Sequence, residues 1–278
     1  MARRKKKDNS SLRTRVITSV VGLPILIGIL ALGGIWLVLG VLMLTFVGTL
    51  EFSSAINHLI IPRISYAFML ILSFLMVITI KLDYNFGLPM LLICFIIMFC
   101  YEIATGKLGI QRTGSMLLGI VYVPVMFSHL FLFETISRGI YYLWLIFVIA
   151  FVTDTSAYFV GRFFGNRKLA PKISPKKTIA GSIGGIIFAA LAAMLYGNIL
   201  RTYFDFDLAW YWYIGIGVLG SVAGQCGDLT ASMIKRKANI KDFSQVLPGH
   251  GGVLDRFDSI IFIIPIIYIF ARLTFGIT

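Results

Sequence analysis

The residues of this chain best suited to chemistry are aspartates set among lysines, arginines and hydroxyls. Gln225, Asp228, Ser232 and Lys235 follow one another at intervals of 3, 4 and 3 residues. On a helix that spacing puts them on one face. Such a stripe can hold a cation and bring a phosphate to it. It leads into the polar segment 232–258, where three kinds of group alternate. Lys235, Arg236, Lys241 and Arg256 can neutralise phosphate oxygens. Gly249, Gly251 and Gly252 let backbone N–H groups approach an anion. Asp255 and Asp258 stand three apart at the start of an apolar run, so a helix there would give them a common face. Carboxylates that face phosphates need a cation between them, and magnesium, hard and oxygen-seeking, suits that place. His250, flanked by glycines, fits phosphate binding or proton transfer, or a purely structural place in a turn. Together these groups point to phosphoryl or nucleotidyl transfer. The plainer alternative is a solvated basic loop whose aspartates cap a helix.

Further groups of the same kind lie upstream. Asp154 has hydroxyl neighbours in Thr153-Asp154-Thr155-Ser156, and Glu51 and Glu102 also fall within apolar runs. An acid at membrane depth costs several kcal/mol on most scales, so it needs a partner or a function. The four acids Glu51, Glu102, Asp154 and Asp228 are expected to line one polar cavity open to the cytoplasm. A second basic stretch, 161–178, ends in Ser174-Pro175-Lys176-Lys177-Thr178 just before an apolar run. Hydroxyls and N–H groups at a helix start favour phosphate there.

The elements that must position these residues are membrane helices. Hydrophobic residues make up 58% of the 278-residue chain and charged ones 13%, too apolar for a water-facing surface. Nine continuous apolar runs, each near the length a bilayer requires, are predicted as helices at 16–33, 36–55, 65–81, 87–104, 115–133, 140–160, 179–199, 209–231 and 259–276. With the N-terminus in the cytoplasm, 21 of the 25 Lys and Arg residues fall on the inner side, a strong positive-inside bias. The expectation is therefore an all-α, polytopic membrane bundle of about nine spans. A basic cytoplasmic tail, 1–15, precedes a single membrane domain, 16–278. Its N-terminal helices occupy 16–133, and the helices and inner loops that carry the chemistry occupy 140–278.

Several function classes lose support. The net charge of +13 is distributed as topology requires, with no basic face interleaved with aromatics, so nucleic acid is not an expected partner. Cys94, Cys100 and Cys226 suit neither a disulfide framework nor a zinc site. The basic start lacks a small-residue cleavage site, so it reads as a tail and first helix, not a removed signal peptide. No internal repeat of the kind found in inverted-repeat transporters is evident.

The segment 232–258 closely resembles the signature of the phosphatidate cytidylyltransferases, or CDP-diacylglycerol synthases. That pattern runs Ser-x-hydrophobic-Lys-Arg, four residues, Lys-Asp-x-small-x-x-Leu/Ile-Pro-x-His-Gly-Gly-hydrophobic-x-Asp-Arg-x-Asp, and every fixed position is met. Asp154 to Tyr158, Gly161-Arg162, Ser174 to Thr178, Gly181-Ser182 and Gly227-Asp228 also resemble this family. The first hundred residues carry no such motif.

The resemblance implies that CTP and phosphatidic acid give CDP-diacylglycerol and pyrophosphate for phospholipid synthesis, at the cytoplasmic side of the cell (inner) membrane. It implies catalytic roles for Asp228, Asp255, Lys235, Arg236, His250 and Arg256. Ser174, Lys176, Lys177, Thr178, Ser232, Lys241, Gly251 and Gly252 would bind substrate. Asp228 and Asp255 would hold Mg2+, with Asp258 and Asp154 nearby, and a second cation would follow the usual pattern of in-line displacement. CTP, phosphatidic acid and the bilayer are the expected partners, with a second copy of the chain as a further candidate. The rival readings are another CTP-dependent membrane lipid phosphotransferase, such as a polyprenol kinase, and a transporter of anionic solutes. The short, nearly uncharged outer loops argue against the transporter.

Overall fold

The computed structural model describes residues 18, 20–106 and 109–275. Among the described residues each of the nine apolar runs is a helix; the expected tail 1–15 and the first residues of the first run lie outside them. In chain order these are α1 Val20–Leu32, α2 Gly34–Ile56, α3 Tyr66–Leu82, α4 Gly87–Thr105, α5 Ile110–Thr135, α6 Gly139–Phe164, α7 Ile179–Phe204 and α8 Trp210–Lys237. After the short helix α9, Leu254–Phe257, comes the last, α10, Ile260–Phe275. Helices α2, α5, α6 and α7, and the stretch Tyr84–Thr105 that contains α4, are long and apolar enough to cross a membrane on length and composition. Helices α1 and α3 and the segment Ile260–Thr274 are apolar but shorter. The chain is an all-helical membrane bundle with one small exception.

That exception is an antiparallel hairpin, β1 Lys168–Ala170 and β2 Ser174–Thr178. Pro171 holds the φ that the first central position of a tight turn needs, and Ile173 N–H closes the turn onto Ala170 C=O at 3.1 Å. The second expected anion stretch is therefore a strand leading straight into α7.

The chain divides into two compact units, 1–131 with 234–257, and 132–233 with 258–278. Most of the signature segment, 234–257, belongs with the N-terminal helices.

In the first unit, α2 buries Leu37, Val41, Thr45, Gly48, Phe52 and Ala55, recurring three or four apart. Thr49 Oγ1 donates to Ser73 Oγ of α3 at 3.1 Å, and the Phe52 ring packs 5.8 Å from that of Tyr122. Helix α5 widens to a π-turn over Val121–Val125, where Pro124 has no N–H to give. It begins at Ile110, five residues before the expected 115. Arg112 is thus not a loop charge. It is 3% exposed and ion-paired with Glu102, which is 1% exposed.

In the second unit, α6 and α7 pack through small residues. A Cβ on Gly181 would stand 2.5 Å from Ala157 C=O and 3.1 Å from Gly161 Cα, so only glycine allows this approach. The Thr178 hydroxyl caps α7 by accepting Gly181 N–H at 3.1 Å.

Candidate active site

The second unit contains a cavity of about 560 Å³ lined by α6, the hairpin, α7 and α8. Its acidic side is Asp154 of α6 and Asp228 of α8. Its basic side is Arg162 of α6, Lys168 of β1, and Lys176 and Lys177 of β2. Lys177 Nζ is ion-paired with Asp228 Oδ2. Asp154 lies within electrostatic range of both. Below them, Ser182 Oγ donates to Gln225 Oε1 at 2.5 Å, and Gln225 Nε2 returns a bond to Ser182 C=O at 3.2 Å. That exchange fixes α7 to α8 one turn before Asp228.

Asp228 is held from its own helix as well. Ser232 Oγ donates to Asp228 Oδ1 at 3.3 Å, as the four-residue spacing requires. Gly227 lies against the Asp258 carbonyl, with Phe262 Cβ 3.2 Å from where its own Cβ would be. A side chain at Gly227 would push α8 away from the start of α10. Asp258 itself directs Oδ1 to Ser259 N–H at 2.9 Å, and it is not among the residues lining the cavity.

The signature turn occupies the first unit. Asp255 is 8% exposed, and both of its oxygens are engaged. Oδ1 accepts from Lys235 Nζ at 2.6 Å. Oδ2 accepts the N–H groups of Phe243 at 2.8 Å and Gly252 at 2.9 Å. Lys235 also stands 5.4 Å from the centre of the Phe243 ring. Asp255 thus clamps the two ends of the loop 243–252. Gly251 takes a positive φ of 89°, and its N–H goes to Leu247 C=O at 3.1 Å. These two glycine N–H groups, expected to face an anion, instead shape the loop. His250 sits in the same turn, its N–H bonded to Leu247 C=O. Arg236, Lys241 and Arg256 have exposed side chains.

Of the four acids expected in one cavity, Asp154 and Asp228 line one together. Glu102 is neutralised by Arg112. Glu51 accepts from Ser244 Oγ and from the N–H groups of Val253 and Leu254. Of the expected substrate residues, Lys176, Lys177 and Thr178 line the cavity, whereas Ser174 and Ser232 do not. Gln225 of the expected stripe lines it too, as do Lys168 and Tyr158, neither of which was expected to bind substrate. Lys168 pairs with Thr178 across the hairpin, and its place beside the β2 lysines depends on that pairing.

The donors at the cavity suit a hard cation that binds through phosphate. Among the described residues no three His, Cys, Asp or Glu side chains converge as a dedicated metal cage. Two carboxylates with lysines opposite are what magnesium uses when substrate phosphates supply further ligands.

The model of the cytidylyltransferase family matches residues 13–274. The chain belongs to that family. It is an integral membrane nucleotidyltransferase. Proteins named phosphatidate cytidylyltransferase from Staphylococcus saprophyticus and Staphylococcus haemolyticus are each 32% identical to it, over 93% of this chain and 98% of their own lengths. The protein of that name from Staphylococcus aureus shares 32% identity over the same fractions. Arg162 and the hairpin lysines supply the cavity's positive charge, and Asp154 and Asp228 its carboxylates.

Proposed function

We propose that this cytidylyltransferase moves the cytidylyl group of CTP onto phosphatidic acid at the cytoplasmic face of the cell membrane. The observation that carries this reading is the cavity of the second unit, which sets two carboxylates against Arg162, Lys168, Lys176 and Lys177. A phosphate oxygen of the lipid attacks the α-phosphorus of CTP. The bond to the β-phosphate oxygen breaks, pyrophosphate leaves, and CDP-diacylglycerol remains. A lipid phosphomonoester is already a nucleophile near neutral pH, so the protein contributes mainly positioning and charge.

Asp228 and Asp154 hold the cation on this reading, and Asp255 and Asp258 remain the signature's further carboxylates. Bound magnesium would neutralise charge on the reacting and leaving phosphates. Lys176 and Lys177, carried by β2 beside Lys168 of β1, orient the triphosphate. The Lys177 ammonium, now on Asp228, has phosphate oxygens as alternative partners. Arg162, bonded to Tyr158 Oη at 3.0 Å, has its guanidinium directed by that phenol.

The reading is tested with purified protein in detergent or liposomes, supplied with CTP and either phosphatidic acid or a polyprenol. Label from CTP is expected in CDP-diacylglycerol, with pyrophosphate released in equal amount. Phosphorylation of the polyprenol, with no product from phosphatidic acid, would replace this reading by that of a lipid kinase. Orientation is tested with single cysteines at Lys172 and Asp207, labelled from opposite sides of sealed vesicles. A second copy of the chain as partner is tested by the mass of the detergent-solubilised enzyme.

A further inference from the structure

Glu51 belongs to α2, in the part of the chain without a signature motif, yet its contacts lie about two hundred residues further on. It is 3% exposed. Oε1 accepts Val253 N–H at 2.9 Å and Oε2 accepts Leu254 N–H at 2.8 Å. Oε1 also accepts from Ser244 Oγ. These donors come from both ends of the signature loop and from the first turn of α9, the helix that carries Asp255 and Arg256. A buried carboxylate is stable only if donors such as these compensate it.

Two small residues make the grip possible. A Cβ on Gly252 would stand 2.5 Å from Glu51 Oε1 and 2.8 Å from its carboxyl carbon, so the loop reaches this acid only as glycine. One helical turn before Glu51, a Cβ on Gly48 would come within 3.3 Å of Leu254 Cδ2 and 3.0 Å of Val123 Cγ1. Leu254, fully buried, is therefore held at its N–H by Glu51 and at its side chain by the notch at Gly48. The next residue, Phe52, packs on Tyr122 and limits rotation of α2 about its axis.

We propose that Glu51 is a positioning residue for cytidylyl transfer. It fixes the backbone of residues 252–254, and through it the directions of Asp255 and Arg256. The proposal rests on the signature segment acting in the reaction above. Asp255 clamps the loop from within, whereas Glu51 anchors it to the N-terminal helices. That gives residues without a motif a defined part in turnover.

The test compares Glu51→Ala, Glu51→Gln and Gly252→Ala with the full-length wild type. Three quantities are read: kcat and KM for CTP, thermal unfolding, and hydrogen exchange over 243–256 without substrate. Glu51→Ala is expected to lower kcat about 100-fold, the scale of a small misplacement of reacting groups, and to speed exchange at Val253 and Leu254. Glu51→Gln keeps one acceptor and is expected to lose about tenfold, since one N–H remains unsatisfied. Gly252→Ala should reproduce the loss from the loop side. Combined with Glu51→Gln it should cost less than the product of the single losses, because both act on one contact.

Folded Glu51→Ala or Glu51→Gln protein with kcat within about threefold of wild type, against the loss expected from misplacement, would overturn the proposal. So would unchanged exchange at 253 and 254. If Glu51→Ala does not fold, Glu51→Gln and Gly252→Ala decide. If the wild type itself makes no CDP-diacylglycerol, the reaction reading fails, while the exchange measurement still judges the grip on the loop.

Discussion

Lys235 and Asp255 form an ion pair at 2.6 Å in which the side chains are only 13% and 3% exposed. Asp255 is thus both a loop clamp and half of a buried pair. Removing one partner strands a charge, and such losses cost about 3–5 kcal/mol. Lys235→Ala is expected to lower thermal stability by that order and to abolish turnover. Lys235→Met with Asp255→Asn should regain much of the stability without regaining activity. Melting curves of the single and double variants decide this. Additive losses would show that the two side chains do not act as a pair.

Asp228 differs in kind from Asp255. Its pair with Lys177 is about a quarter exposed on both sides, so the pair itself contributes less than about 1 kcal/mol. Asp228→Asn should therefore leave the unfolding temperature nearly unchanged while turnover falls by at least about 100-fold, as loss of a charged group at a reacting phosphate implies. Asp255→Asn should lose both activity and stability. Calorimetry beside a CTP turnover assay separates the two. Equal destabilisation by both substitutions would contradict this division.

The helices were legible because membrane spans are long, continuous and apolar, and a chain this apolar has few other ways to satisfy its backbone. The stripe on α8 was legible for a similar reason: the four-residue spacing of Asp228 and Ser232 becomes a hydrogen bond. The hairpin was not, because Lys168–Ala170 and Ser174–Thr178 are short, polar and without alternation. Arg112 precedes the apolar run predicted from 115, although the helix begins before it. Glu51 stood out only as an acid within an apolar run, and nothing local to it named its partners. Its partners lie 193 to 203 residues away, and a single acid near a helix end looks like any interfacial residue.

Glu102 and Arg112 are the most enclosed ion pair among the described residues, and Arg112 also donates to Arg63 C=O at 3.2 Å. Neither lines the cavity of the second unit. Arg112→Met should cost about 3–5 kcal/mol by leaving Glu102 buried without its cation. Activity per folded molecule should stay near wild type. Replacing both residues by methionine should restore stability, since a packed apolar pair is often as stable as a buried ionic one. Thermal unfolding measures the first effect, and turnover normalised to folded protein the second. A large loss of kcat in a stable Arg112→Met variant would place this pair in the reaction instead.

Cation dependence should distinguish the two cavity acids. Asp228 has Lys177 and Ser232 on its oxygens, whereas Asp154 faces the cavity with Asp228 and Lys177 as its charged neighbours. If both hold magnesium through the CTP phosphates, a chelator should stop turnover and added Mg2+ should restore it. Loss of Asp154 removes one of two protein carboxylates and leaves the other in place. Asp154→Asn should therefore raise the Mg2+ concentration for half-maximal rate on the order of tenfold, the low end of what weakened support costs a metal site, and excess Mg2+ should recover most of the rate. Asp228→Asn should not be rescued by excess metal, because Lys177 would lose the carboxylate that holds it in place before substrate arrives. Titrating Mg2+ at saturating CTP measures both. An unchanged Mg2+ requirement in Asp154→Asn would remove Asp154 from the metal site and leave Asp228 as the cavity's sole metal-binding acid.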